Sequence, residues 1–365
     1  MIYLDNAATS RYKPFRVKRA VLKEINRSAN PGRSSHDESI RAGIIVENCR
    51  EEIKKRFFDG NVIFTKNCTE ALNLGIFGTL PSRQVITSVY DHNSVLRPLK
   101  KLADDGKISL KIIDFADEKS LLNALKTPTS LVVFTAMSNV TGKTYDVNSI
   151  AKTIRLKSDA KILVDMAQAA GHAKTDLSYV DMCAFAGHKA LHGVQGSGFL
   201  LARKNVSLSA RIFGGTGTSS LNISHPNTIP DGMEAGTLNT PAIAGLREGI
   251  KWTYDNFDRL KKKIDLMTDA FFDELKAMDK VTLYAANNGV ILFNIKNVSP
   301  DAVADFLNSK YKIAVRSGLH CSPLAHKALG TSPYGAVRIS LGACNGEKDV
   351  IKTVNAIYDA VTTLF

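Results

Sequence analysis

Five short apolar runs in this chain each lead to residues able to bind or react. "NVIFT" (Asn61 to Thr65) runs into "KNCTEALN", where Thr69 and Glu70 are expected to open a helix whose free N–H groups suit a phosphate. A plain N-cap threonine accounts for the same stretch equally well. "QVITSVY" (Gln84 to Tyr90) runs into "DHNS" and presents His92, and "LVVFTAM" (Leu131 to Met137) runs into "SNVTG" and presents Asn139. "KILVDMAQ" (Lys161 to Gln168) carries Asp165 and Gln168 at its end, and "DMCAFAG" is followed by His188 and Lys189. One lysine after a buried strand ordinarily snorkels to solvent. The set asks for more: a helix start for a phosphate, a carboxylate for a ring nitrogen, and a lysine to form an imine with an aldehyde. Those are the needs of pyridoxal 5′-phosphate (PLP), with Lys189 as the Schiff-base lysine and Asp165 as the partner of the ring nitrogen.

A second reactive stretch is "RSGLHCSP", Arg316 to Pro323. Cys321 lies among Gly, Ser and Pro rather than in an apolar run, as an accessible thiol does. His320 and Arg316 are expected to lower its pKa, which a thiol nucleophile needs. Cys49, Cys68, Cys183 and Cys344 read as core thiols, with Cys68 set apart because it adjoins Thr69. Five cysteines with no C-x-x-C pair argue against a disulfide framework and a zinc finger, and suit a reducing compartment. There is no H-E-x-x-H, and "GHKALHG" lacks the spacing of a phosphate-binding P-loop, so no metal site is expected.

The elements that must position these residues follow an α/β pattern. The apolar runs are continuous, as in buried parallel strands, and helical stretches such as "VNSIAKTIRLKS" lie between them. "GSGFLLARK" (Gly196 to Lys204) reads as a strand closing this region. From about Gly245 one long amphipathic helix is expected, then a smaller α+β module with strands near "GVILFNI" and "KIAVRSG" and a terminal helix. The expected division is an N-terminal segment 1–14, a large domain 15–245 and a small domain 246–365. The chain has 365 residues, enough for two cores. The stretch "MIYLDNAATS" is too polar for a secretory leader and no run is long enough to cross a bilayer, so the cytoplasm is expected. The formal charge of +13 is spread along the chain without an aromatic platform or helix-turn-helix, which reads as surface chemistry suited to an acidic partner rather than nucleic acid or membrane.

The ordered segments resemble the class V aminotransferase-like, fold-type I PLP enzymes, and within them the cysteine desulfurases. They are "YLDNAATS", "ANPGRSSH", "TEALN", "DHNSVLRP", "SNVTG", "DMAQAAGH", "GHKALHG", "EAGTLNTP", "RSGLHC" and "VRISLG". The resemblance implies a large domain with a mostly parallel, seven-stranded type of sheet between helices. It gives Lys189 the Schiff base and proton transfers, His92 the place over the cofactor ring, Asp165 the ring nitrogen, and Gln168 and Asn139 places beside the ring. Thr69 and His188 would bind the phosphate. Thr237 would reach the phosphate of a neighbouring subunit, which implies a homodimer with shared sites. Arg338 would clamp the substrate carboxylate, with Arg316, His36 and Asn139 around the substrate. Cys321 aligns with the nucleophile that takes sulfur from L-cysteine as a persulfide, leaving L-alanine. The compact R-x-G-x-H-C form resembles the second, short-loop group, and implies a sulfur-acceptor protein that brings its own thiol.

One position departs from the pattern: Ala186 stands where the family usually has Ser or Thr, so the phosphate cup is expected to be looser unless the "GGTGTSS" loop (Gly214 to Ser220) compensates. Selenocysteine lyase, cysteine-sulfinate desulfinase and a small-amino-acid aminotransferase share the scaffold and differ in their need for Cys321. A non-catalytic PLP-fold binding protein is the alternative from another class.

Overall fold

A computed structural model of the chain describes residues 1–32, 34–218 and 221–365. Arg33 of "ANPGRSSH" and Ser219 and Ser220 of "GGTGTSS" lie outside the described residues. The elements, in order, are β1 (Ile2–Tyr3), α1 (Phe15–Ile25), α2 (Asp37–Arg56), β2 (Asn61–Thr65), α3 (Cys68–Gly78), β3 (Gln84–Ser88), α4 (Asn93–Asp104), β4 (Ser109–Ile113), α5 (Glu118–Ala124) and β5 (Thr129–Thr135). They continue with α6 (Val147–Lys157), β6 (Lys161–Asp165), β7 (Met182–Ala186), β8 (Gly198–Ala202), α7 (Thr240–Asp255) and α8 (Phe257–Lys276). The chain ends with β9 (Val281–Asn287), β10 (Val290–Ile295), α9 (Pro300–Tyr311), β11 (Ile313–Ala314), α10 (Pro323–Ala328), β12 (Val337–Ser340) and α11 (Glu347–Leu364).

Seven strands form one sheet in the order β2-β8-β7-β6-β5-β3-β4. Strands β4, β3, β5, β6 and β7 run parallel, and β8 lies antiparallel to both β7 and β2. So "GSGFLLARK" does not close the sheet at an edge: its strand is inserted between two others. Alternate residues feed two separate cores. Val132, Phe134, Ile162, Val164 and Phe185 join one, and Leu131, Val133, Leu163, Ala184 and Leu200 the other. Burial on both faces is why these strands read as unbroken apolar runs.

The expected single helix from Gly245 is two helices, because Asn256 interrupts it. Its side-chain amide donates to the Trp252 carbonyl at 2.8 Å, which competes with the helical ladder. Helix α7 packs against α1 and α2, whereas α8 packs on β9 and α11. Position 245, where the sequence suggested a division, lies inside α7. The second sheet, β12-β10-β9, carries its own core with Ile291, Phe293, Val337 and Ile339. Strand β1 pairs with β11, which ties the first residues to the last third of the chain. No helix among the described residues is long and apolar enough to cross a membrane.

Candidate active site

The parallel strands deliver their C-terminal ends to one place, where ligands gather in open α/β sheets. One cavity there is lined by Thr69, His92, Asn139, Asp165, Gln168, His188 and Lys189, with Ala186 in its wall. Asp165 is the last residue of β6, and Lys189 follows β7 by three positions. Glycine makes this closeness possible at two points. A Cβ on Gly198 would sit 2.6 Å from the Asn67 backbone, and one on Gly187 would collide with the Ser197 hydroxyl.

Burial pushes the Asp165 carboxyl up and the Lys189 amine down, and their mutual attraction opposes both shifts. Asp165 Oδ1 accepts from the Ala167 amide at 2.8 Å and faces the Cys68 thiol at 3.5 Å. Neither contact uses Oδ2. The Cys68 contact was not foreseen, since nothing in local sequence joins residues 68 and 165. Gln168 donates its side-chain amide to the Ala7 carbonyl at 3.0 Å, which leaves its oxygen for other partners.

His92 caps α4: its Nδ1 accepts the Ser94 backbone N–H at 3.0 Å. The ring proton therefore belongs on Nε2. Burial and the nearby Lys189 and Arg316 charges hold the ring neutral, pushing its pKa down to about 4. The Ser94 hydroxyl lies 2.9 Å from that Nδ1 and 2.8 Å from the Thr69 hydroxyl, so three polar side chains line up along the cavity edge. Ser94 is a site residue the sequence reading passed over, although it stands two positions after His92.

Helix α3 starts one residue earlier than expected. Its cap is Asn67, whose Oδ1 accepts the Glu70 amide at 3.0 Å, so Thr69 is not the cap and its hydroxyl pairs with that of Ser94 in the cavity wall. The amides of Cys68 and Thr69 have no intrahelical carbonyl within reach. Nearby, the buried Nδ1 of His188 has no hydrogen-bond partner. Burial and the Lys189 charge push this ring down to about 4. A helix start and an orphaned imidazole nitrogen together fit the phosphate end of a cofactor. Thr216 and Thr218 of the expected compensating loop line a different cavity, with Arg50 and Glu234. Ser94 shares the cavity wall with Ala186 and offers a hydroxyl where the usual one at 186 is missing.

Arg338, on β12, is almost wholly buried. Its Nη1 donates to the Asn139 carbonyl and its Nη2 to Asp5 Oδ1, each at 2.9 Å, while Nε has no partner. A guanidinium held by two of its edges with a donor to spare is prepared for a carboxylate. Asp5 was quoted in the sequence only as part of "YLDNAATS"; its pairing with Arg338 spans the whole chain.

Cys321 is exposed, and the Arg316 Nη2 lies 3.7 Å from its Sγ. Its carbonyl accepts the Asn93 backbone N–H at 2.7 Å, next to His92. The preceding carbonyl, of His320, accepts Asn139 Nδ2 at 2.8 Å. The expectation that His320 charges the thiol's surroundings is overturned. Its ring is buried against His326, and burial pushes its pKa down to about 2, so it is neutral, with its two nitrogens spent on His326 and the Arg316 carbonyl. Arg316 is the cation beside the sulfur. Cys344, read as a core thiol, is exposed, whereas Cys49, Cys68 and Cys183 are buried.

Arg316, Cys321 and Arg338 are not among the residues that line this cavity, and neither are His36 and Thr237. His36 caps α2, its Nδ1 accepting the Ser39 amide at 3.2 Å. Thr237 is exposed and lines a neighbouring cavity with Lys66, Glu70 and Glu234. Among the described residues no group of three or more His, Cys, Asp or Glu is arranged to hold a metal.

The sequence profile of the family Aminotransferase class-V matches residues 2–352. This chain belongs to that family. Among its class-V relatives are proteins named probable cysteine desulfurase. The one from Methanothermobacter thermautotrophicus is 32% identical, the match covering 96% of this chain and 92% of the relative. The one from Pyrococcus abyssi is 30% identical over 100% of this chain and 95% of the relative. Among solved structures, the apo cysteine desulfurase of Thermococcus onnurineus NA1 superposes with a TM-score of 0.90 at 28% identity, covering 99% of this chain and 94% of that one. The class-V fold expected from the segments, mainly parallel and flanked by helices, is the fold observed.

Proposed function

We propose that this chain is a PLP-dependent cysteine desulfurase that moves sulfur from L-cysteine onto Cys321 as a persulfide and releases L-alanine. The observation that carries the reading is the tether of Cys321 to the Lys189 cavity. Asn93 holds the Cys321 carbonyl from beside His92, and Asn139 holds the His320 carbonyl from the cavity wall. The names of the class-V relatives support it.

The donor set fits PLP. Asp165 Oδ2 suits the ring nitrogen, the neutral His92 ring the cofactor face, and the α3 start with Thr69, Ser94 and His188 the phosphate. When bound, PLP supplies the electron sink that acidifies the substrate Cα–H and weakens the Cβ–Sγ bond. Lys189, its pKa lowered by burial, takes and returns the proton at Cα. Arg338 holds the substrate carboxylate through its guanidinium, and Arg316 stands by the sulfur. The Cys321 thiolate forms the new S–S bond as the substrate Cβ–Sγ bond breaks; the electron pair stays with carbon, which is protonated to give alanine.

The same reading includes a homodimer and an acceptor protein. Phe213, Leu221 and Ile223 are exposed large apolar residues in the stretch leading to Thr237, as expected of a surface that a second copy covers. The pinned carbonyls of His320 and Cys321 limit how far a persulfide can swing, so an acceptor thiol must enter the site. The division into a PLP-binding large domain and a small C-terminal domain belongs to this proposal too.

The test is incubation of the holoenzyme with L-cysteine, measuring alanine and protein-bound persulfide for wild type and Cys321→Ala. Both products in wild type and neither in the variant are expected. Equal alanine from the two proteins would sink the reading.

A further inference from the structure

Next to the Cys321 loop lies a buried line of three polar side chains that do not line the cavity and that the reaction as described does not use. His320 and His326 are at most 2% exposed, and Thr331 only 6%. His320 Nε2 is 3.2 Å from the Arg316 carbonyl, His320 Nδ1 is 3.1 Å from His326 Nε2, and His326 Nδ1 is 2.7 Å from Thr331 Oγ1.

The protons in this line can be placed. A carbonyl only accepts, so His320 Nε2 carries hydrogen. Burial pushes both rings down, His320 to about 2 and His326 to about 4, so each is neutral and has one N–H. His320 Nδ1 is then an acceptor, and His326 Nε2 must be its donor. That leaves His326 Nδ1 to accept from the Thr331 hydroxyl, whose one hydrogen goes to this nitrogen at 2.7 Å in preference to the His326 carbonyl at 3.2 Å. The line runs one way, from Thr331 through His326 and His320 to the Arg316 carbonyl, and every nitrogen is satisfied.

The loop it supports is strained. His320 and Cys321 both adopt left-handed backbone, with φ of 49° and 58°. Two such residues in succession, neither of them glycine, cost free energy and need outside contacts to hold them. Asn139 and Asn93 hold the carbonyls from the cavity side. The His320 ring is a further anchor of this pair, and it also grips the carbonyl of Arg316, the residue whose guanidinium meets the thiol. One imidazole thus fixes the nucleophile and its cation together, and its own orientation depends on a donor at 326.

We propose that His326 is a positioning residue for sulfur transfer: by donating to His320 it locks the left-handed turn that aims Cys321 and sets Arg316 beside it. The inference rests on the desulfurase reading for its kinetic consequence, and on the loop geometry alone for its structural one.

The experiment compares the wild-type holoenzyme with His326→Leu, His326→Gln and Thr331→Val. Leucine fills the space but leaves His320 Nδ1 a buried acceptor without a donor, whereas the glutamine amide can still donate. His326→Leu is expected to lower kcat by about tenfold or more, the usual consequence of an unmet buried polar group, with the KM for L-cysteine and the cofactor absorbance unchanged. His326→Gln is expected to recover most of the loss. Without substrate, amide hydrogen exchange in the 316–322 peptide should quicken in His326→Leu and stay near wild type in His326→Gln. Wild-type kcat and exchange in His326→Leu would overturn the proposal, as would equal defects in the two variants. Should His326→Leu not fold, Thr331→Val serves: faster exchange in the same peptide supports the lock, and unchanged exchange with unchanged kcat overturns it. Absence of persulfide in wild type sinks the desulfurase reading instead, and the exchange comparison still judges the lock.

Discussion

The backbone N–H of Asn93 donates to the carbonyl of Cys321 at 2.7 Å, joining a residue of the large sheet's α4 to the thiol-bearing loop more than two hundred positions later. The start of the helix that His92 caps is therefore also the seat of the nucleophile. Both ends of the proposed chemistry share one anchor.

Arg338 has two of its five N–H donors engaged by the protein, so replacing its fork should damage substrate capture. Arg338→Lys is expected to lower kcat/KM for L-cysteine by about tenfold to a hundredfold, matching the loss of roughly 1.5–3 kcal/mol for a hydrogen bond to a charged group. Steady-state kinetics checks this; an unchanged kcat/KM would remove Arg338 from the carboxylate site.

Position 186 offers a gain of function. Ala186→Ser places a hydroxyl in the cavity wall and is expected to tighten PLP binding by roughly tenfold, about the value of one added charge-assisted bond. Ser94→Ala should weaken it. Absorbance titration of the apo protein measures both, and a Ser94→Ala protein that binds as tightly as wild type would remove Ser94 from the phosphate cup.

Much of this was legible in the chain before any coordinates. The strands were, because burial on both faces makes each an unbroken apolar run, and the residues after them were, because parallel strands end on the same side. The direction of β8 was not: an apolar pentapeptide such as "GFLLA" reads the same in either sense. Nor was the break at Asn256, where a side chain rather than a Gly or Pro stops the helix. His320 misled because adjacency to Cys321 in sequence says nothing of burial: the ring is buried, with both nitrogens spent on His326 and the Arg316 carbonyl. The Asp5–Arg338 and Cys68–Asp165 contacts join distant segments and have no local signature.

Acid should destabilise the fold through its buried neutral histidines. His192, packed at a tilt against Trp252 with a buried Nε2 lacking a partner, has its pKa pushed down by burial to about 3. Unfolded, the ring titrates near 6.5, so between that value and about 3 the unfolded state binds a proton the folded state refuses, and stability falls as pH falls. By pH 5 this one ring forfeits about 2 kcal/mol. His192→Phe should therefore flatten the decline of Tm between pH 7 and pH 5. A parallel decline in both proteins would contradict the assignment.

If a second copy covers the 212–223 surface, a charge there should prevent association. Phe213→Glu together with Leu221→Asp is expected to shift the protein toward monomer in light scattering and to cut activity, since Thr237 then has no neighbouring site to complete. A fully active monomer would contradict shared sites.

The most direct measurement of the central claim follows the sulfur. The holoenzyme is given less than one equivalent of L-cysteine bearing radiolabelled sulfur, and its peptides are mapped without reductant. The account predicts label on the peptide containing Cys321, with matching alanine and none on those containing Cys68 or Cys344. Label on Cys68, the thiol already inside the cavity, or alanine formed with no labelled Cys321, would contradict it.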